Sequence, residues 1–217
     1  MKAVIFDLDG VVVSTDELHY RAWKTIAESE NLPFDRTINN RLRGVSRLRS
    51  LEIIIQNAHK DCTQKDKEAL AERKNAIYRE SLSELDPCCI LEGVQELIEG
   101  LKEKGVRLGL ASSSKNARLI LKKIGLAERF DAITDGNDIE RSKPDPEVFL
   151  KTSRKLNINP RECLVIEDAP AGIDAAIAAG MMSLAVGSAK ECSDADMSVE
   201  SLSQIDVQSI TELKATR

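Results

Sequence analysis

Lys2-Ala3-Val4-Ile5-Phe6-Asp7-Leu8-Asp9-Gly10 opens the chain with an apolar run that ends in two carboxylates and a glycine. Residues 2–6 are almost continuously apolar, the pattern of a strand buried on both faces of a parallel sheet. Downstream, residues 106–111, 132–134, 163–166 and 183–186 repeat that character. Helical patterns at 93–104, 116–124, 145–156 and 171–179 separate them. Gly105, Gly125 and Gly180 follow three of these helices, where a C-terminal stop favours glycine. The alternation predicts an α/β fold: a doubly wound parallel sheet with helices on both faces.

Residues 14–85 break this rhythm. Segments 17–30, 47–59 and 63–83 read as helices, and Leu51, Ile54 and Ile55 keep helical spacing behind Ser46, a candidate N-cap. The expected organisation is a catalytic core of residues 1–13 and 86–217, with a helical cap (14–85) inserted after the first strand. Its hinges fall near Val13-Ser14 and Leu85-Asp86-Pro87. The tail beyond about Ser193 is polar and weakly patterned, and no element is assigned to it.

The 217 residues suffice for one domain carrying an insertion. Acidic residues outnumber basic ones, 36 to 31, for a formal charge of −5, which leaves no electrostatic footprint for nucleic acid or an anionic membrane. An aromatic content of 3% also argues against base-stacking surfaces. No apolar run reaches the length of a membrane span, and the first one meets Asp7 too early for a signal-peptide core. A cytoplasmic protein is expected. Cys62, Cys88, Cys89, Cys163 and Cys192 form no CxxC pair and are odd in number, as free thiols in a reducing compartment would be. A catalytic thiol would need one of only two histidines, His19 or His59, and is set aside.

Ligands of doubly wound sheets bind outside the carboxyl ends of the strands. Asp7 and Asp9, at i and i+2, leave the first strand in roughly the same direction. Anions that close repel unless one is protonated or a cation lies between them, and Mg²⁺ takes hard oxygen ligands that it shares with phosphate. A solvated turn is the competing reading of Asp-x-Asp-Gly. The next strand runs through Ala111-Ser112-Ser113-Ser114-Lys115-Asn116 into a helix, a cradle for phosphate or merely a serine N-cap. Ser142-Lys143-Pro144-Asp145-Pro146 follows the third strand, with a lysine that could neutralise an anion or lie on the surface. The fourth strand ends in Glu167-Asp168, an acidic pair whose burial is costly unless a metal compensates it. Taken in order, the four strand ends supply a nucleophile, a phosphate cradle, a cation and a metal site.

These four stations resemble the motifs of the haloacid dehalogenase superfamily of phosphoryl-transfer enzymes, across the whole α/β core. The resemblance implies Mg²⁺ as cofactor, Asp7 as the nucleophile that becomes phosphorylated, and Asp9 as general acid/base. It also implies phosphate binding by Ser112 and Lys143. The metal site would comprise Asp7, Glu167, Asp168 and the Asp9 backbone carbonyl. One departure stands at Ala169-Pro170, where many relatives carry a serine, so a hydrogen bond beside the metal ligands is expected to be missing.

Three stretches of the insert resemble the hexose-phosphate mutases of that superfamily. They are Thr15-Asp16-Glu17-Leu18-His19-Tyr20-Arg21-Ala22-Trp23, Leu42-Arg43-Gly44-Val45-Ser46-Arg47-Leu48-Arg49-Ser50 and Arg73-Lys74-Asn75-Ala76-Ile77-Tyr78. Such enzymes interconvert β-glucose 1-phosphate and glucose 6-phosphate through β-glucose 1,6-bisphosphate and an aspartyl-phosphate. On this resemblance His19 steadies the acid/base, Trp23 lines the sugar pocket, and Arg47 clamps the remote phosphate in its guanidinium fork. Lys74 and Asn75 face the sugar, as do Leu42, Gly44, Val45, Ser46 and Ser50; Ser114, Lys115 and Asn116 meet it from the core. The residues alone leave plainer readings open. Trp23 could be cap core, Arg47 part of a solvated face with Arg41, Arg43 and Arg49, Lys74 a surface lysine, and His19 a satisfied buried histidine.

The expected protein is therefore a monomeric mutase acting on small hexose phosphates. A sugar-phosphate phosphatase of the same fold, passing the phosphoryl group to water, is the alternative. A catalytically idle binding module is the third reading, and intact Asp7, Asp9, Lys143 and Asp168 argue against it.

Overall fold

A computed structural model of the chain describes residues 1–58 and 62–213. Six parallel strands form one sheet: β1 (Ala3–Phe6), β2 (Arg107–Ala111), β3 (Ala132–Thr134), β4 (Cys163–Glu167), β5 (Met182–Val186) and β6 (Met197–Val199). Their order is β3-β2-β1-β4-β5-β6. The winding direction reverses between β1 and β4, and that switch point opens a crevice at the strands' carboxyl ends.

The apolar run that begins the chain works because both faces of β1 are covered. Val4 and Phe6 enter one apolar cluster with Leu97 and Leu101 of α5 (Val94–Glu103) and Ile120 and Leu121 of α6 (Ala117–Lys123). Ala3 and Ile5 enter the other, with Val148 and Phe149 of α7 (Glu147–Leu156) and Ala175 and Ala176 of α8 (Pro170–Ala178). Val4, Ile5 and Phe6 are fully buried, a burial worth about 1.5–3 kcal/mol for each such side chain.

Among the described residues, four α-helices lie between β1 and α5: α1 (Asp16–Ser29), α2 (Arg36–Asn40), α3 (Arg47–Ala58) and α4 (Gln64–Ser81). They bury a cluster of their own, including Trp23, Ile26, Leu51, Ile54 and Leu70. Leu18 and Ala22 of α1, with Tyr78 of α4, join the sheet's cluster instead and root the insert on the core. The two connections into the insert run side by side, Val13 pairing with Ile90 and the Leu91 N–H donating to the Val12 carbonyl at 3.0 Å.

The sequence pattern locates five strands and misses three short elements. β6 has three residues, none fully buried, in a tail whose alternation is too brief to stand out. α2 and the terminal helix α9 (Val207–Thr211) have five residues each and are marked mainly by their caps, Asp35 and Asp206. α3 is expected to run to His59, which lies outside the described residues. Gly105, Gly125 and Gly180 all have positive φ, as helix stops require. All five cysteines are free, and no helix among the described residues is long and apolar enough to cross a membrane.

Candidate active site

Register fixes the site. Phe6 pairs with Leu110 on one side and Ile166 on the other, so the next residue, Asp7, emerges between Ala111-Ser112 and Glu167-Asp168. Its N–H donates to the Ile166 carbonyl at 3.0 Å. Asp7, Glu167 and Asp168 are buried and offer oxygens within 4.8 Å of one another. Lys143, fully buried, stands in the loop before α7. Its ammonium donates to both Asp7 and Glu167, and to the Ala111 carbonyl at 3.3 Å. Two glycines make room for the acids. Gly10 has φ +84°, and a Cβ there would strike the Asp168 carboxylate; one on Gly172 would strike that of Glu167.

Burial and crowding set the electrostatics. Burial raises the Asp7 carboxyl well above the usual range; Lys143 pulls it down, and Glu167 and Asp168 push it up further. Asp168 is pushed up to about 7 by burial and then Glu167, with Arg43 opposing. Burial also opposes the charge of Lys143, but Asp7 and Glu167 more than offset it and hold the ammonium above the ordinary lysine range. Three buried carboxylates with one cation form an oxygen donor set that lacks positive charge, the chemistry that suits a hard divalent ion.

Asp9 departs from the expected direction. Its carboxylate accepts the hydroxyl proton of Thr15, at the start of the insert, and is not among the three carboxylates that cluster, so the two carboxylates of the motif do not form one donor set. Burial raises Asp9 to about 6. The missing hydrogen bond expected at Ala169 is supplied from elsewhere: the Ser188 hydroxyl, after β5, donates to the Asp168 carbonyl at 2.6 Å and lies 3.3 Å from its Oδ2. Arg43 in turn donates to Ser188 Oγ at 2.7 Å, pairs with Asp168 Oδ2 at 3.5 Å and holds Asp16. Thr15, Asp16, Arg43 and Ser188 were not singled out by sequence. Thr15, Asp16 and Arg43 sit inside the stretches that resemble the mutases, but nothing in their spacing sets them apart from their neighbours, and Arg43 is one arginine among four.

Above the acidic cluster lies a cavity of about 600 Å³, walled by core on one side and insert on the other. Asp7, Asp9, Asp168, Ser112, Ser114, Lys115 and Asn116 line it from the core. His19, Trp23, Leu42, Gly44, Val45, Ser46, Arg47, Ser50, Lys74 and Asn75 line it from the insert. Lys143 and Glu167 lie behind Asp7 and do not line it. The serine cluster does both things the sequence left open. Ser112 and Ser114 cap the turn through the N–H groups of Ser114 and Asn116, at 3.1 and 3.2 Å, and both also face the cavity. Core and insert touch here directly: the Ser113 hydroxyl donates to the Gly44 carbonyl at 3.3 Å, and the Asn116 amide to Asn75 at 2.9 Å.

The insert carries further cations. Lys74 is buried and its ammonium lies 2.7 Å from His19 Nδ1, 4.4 Å from the Tyr78 ring centre and 5.2 Å from that of Trp23. Burial, then Lys74 and Arg47, push His19 well below its usual value. Lys74 falls to about 7 through burial and the charge of Arg47. Lys74 is thus no surface lysine, and Trp23 is both part of the insert's core and a cavity wall.

A family model for haloacid dehalogenase-like hydrolases matches residues 1–180. The chain is 42% identical over 214 residues to a β-phosphoglucomutase of Bacillus subtilis, covering 98% of this chain and 95% of that one. It is 34% identical to a phosphorylated carbohydrates phosphatase of Thermotoga maritima, over 83% and 82% of the two chains. Among solved structures, a β-phosphoglucomutase from Clostridium difficile superposes with a TM-score of 0.93 at 37% identity, over 98% and 96% of the chains. With a matching family model over most of its length and an acidic, lysine-bridged crevice at the end of β1, this chain belongs to the haloacid dehalogenase-like hydrolases.

Proposed function

We propose that the chain is a magnesium-dependent hexose-phosphate mutase, interconverting β-glucose 1-phosphate and glucose 6-phosphate through a phosphorylated Asp7 and β-glucose 1,6-bisphosphate. The observation that carries this reading is a cavity lined both by Asp7, with Lys143 paired behind it, and by a second cation, Arg47, on the insert wall. A bisphosphate that must bind either way round needs a second anion site; a phosphatase does not. The 42% identity to the Bacillus subtilis mutase, against 34% to the Thermotoga maritima phosphatase, favours the same reading.

Asp7, Glu167, Asp168 and the Asp9 carbonyl would hold Mg²⁺, which when bound neutralises phosphate charge and orients its oxygens. An Asp7 carboxylate oxygen attacks the phosphorus of the bisphosphate, and the bond from phosphorus to the sugar oxygen breaks. Asp9 gives its proton to that departing oxygen; in the return transfer it removes the proton of the other sugar hydroxyl as that oxygen attacks phospho-Asp7. A carboxyl raised to about 6 can serve in both directions near neutrality. Lys143 stays beside Asp7 and offsets the charge that approaching phosphate adds. The Asp9–Thr15 bond ties the acid/base to the segment leading into the insert, which links insert position to catalysis and helps disfavour water.

The test supplies Mg²⁺, β-glucose 1-phosphate and a trace of bisphosphate, and follows glucose 6-phosphate and free phosphate together. Glucose 6-phosphate without matching phosphate is expected; stoichiometric phosphate release would assign the chain to the phosphatases. Arg47→Ala is expected to lower mutase kcat/KM by about 10²-fold, the loss of one charge-assisted clamp, and to lower hydrolysis of a small acyl phosphate far less. Equal losses would show that Arg47 does not hold the remote phosphate.

A further inference from the structure

Glu72 of α4 lies where the proposed remote clamp is built, although the charge-rich helix around it reads in sequence as solvated surface. Its Oε2 accepts from Arg47 Nη1 at 3.1 Å, and the same nitrogen donates to the Ala71 carbonyl at 3.3 Å. Its Oε1 accepts from the Asn75 amide at 3.3 Å, and Asn75 Oδ1 accepts from Asn116 of the core at 2.9 Å. One carboxylate therefore joins the remote cation to an amide pair that bridges insert and core. The partners differ sharply in freedom: the Arg47 side chain is 21% exposed and that of Glu72 is 73% exposed. A partly desolvated guanidinium is better off paired, whereas an exposed glutamate swings into water at little cost.

The proposed reaction imposes opposing demands on that guanidinium. It must hold the remote phosphate during each transfer, and it must let go so that the bisphosphate can turn round. Releasing a dianion from a partly buried arginine is slow if nothing replaces it. We propose that Glu72 is a positioning residue acting through Arg47: it competes with the remote phosphate for the guanidinium, taking it over as the phosphate leaves and so speeding reorientation of the bisphosphate. The same movement returns Glu72 to Asn75 and restores the chain of bonds from Arg47 to Asn116. This inference rests on the mutase reading and on Arg47 as its remote clamp.

Glucose 6-phosphate binding to the Mg²⁺-loaded protein, measured by calorimetry, and mutase kinetics would be compared for wild type, Glu72→Gln, Arg47→Ala and the double variant. Glu72→Gln is expected to bind glucose 6-phosphate about two- to fivefold more tightly, the scale of one exposed ion pair, with KM and kcat both falling. The tightening should vanish in the Arg47→Ala background. Unchanged or weaker binding in Glu72→Gln overturns the proposal, as does equal tightening without Arg47. Tighter binding with kcat unaltered also overturns it, because release would then not be what Glu72 serves. If wild type binds more tightly than Arg47→Ala while Glu72→Gln changes nothing, the role of Glu72 alone falls. If wild type and Arg47→Ala bind equally, the clamp reading falls with it.

Discussion

Asp7→Asn is expected to lower mutase turnover by at least about 10⁴-fold and to leave no acid-stable phosphoprotein after incubation with bisphosphate. The amide is uncharged and a poor nucleophile, so the covalent route is closed while the cavity stays intact. The variant should nevertheless be at least as stable as wild type at neutral pH in metal-free buffer. Burial and the neighbouring carboxylates raise Asp7 well above its unfolded value, despite Lys143. A carboxyl with a raised folded pKa binds more protons folded than unfolded, so its contribution is lost as pH rises through that window. At neutral pH the ionised form is therefore a net cost, and the amide removes it. Urea unfolding with EDTA present checks this. A clear loss of stability would mean that the pairing with Lys143 outweighs burial; residual phosphoenzyme would place the nucleophile elsewhere.

The core of this site was legible in sequence because each part stands at a strand end, and register brings strand ends together whatever the loops do. Phe6, Leu110 and Ile166 align, so Asp7 and Glu167 converge, with Ser112 one residue past the end of β2. Lys143 was legible as a residue but not as a buried one: its loop is polar and proline-rich, and only the packed structure puts the ammonium between two acids. Asp9 shows the limit of strand alternation. Chain direction changes at Gly10, with φ +84°, and side-chain direction no longer follows a period of two once the strand has ended. Ser188 was out of reach for a different reason. It lies 20 residues beyond Asp168 after another strand, and a lone serine in a turn gives no sequence signal. The insert followed the same rule. His19, Trp23, Arg47 and Lys74 were named through resemblance, while helical periodicity alone would have left Lys74 on the surface.

Lys143→Met should act on stability in the opposite sense to Asp7→Asn, although the two residues form one ion pair. For Lys143 the surroundings favour charge: Asp7 and Glu167 overcome its burial and hold the ammonium above its unfolded pKa, so its stabilisation is fully present at neutral pH. Methionine fills a similar volume but leaves three buried carboxylates with no cation among them. Removing one partner of a buried pair typically costs about 3–5 kcal/mol, and here the cost should depend on pH. Without Lys143, Asp7 and Asp168 rise further above their unfolded values, so the variant binds extra protons when folded and gains stability as pH falls from 8 toward 5. Millimolar Mg²⁺ should narrow the deficit by mass action if the acids bind it, since a ligand selective for the folded state stabilises that state. Unfolding curves for both proteins at pH 8 and 5, with EDTA and with Mg²⁺, give four differences to compare. A deficit that is constant across all four would mean that Lys143 contributes packing alone. A deficit that shrinks in acid and with Mg²⁺ makes the lysine the charge counterpart of the three acids, which is the role phosphoryl transfer at Asp7 requires.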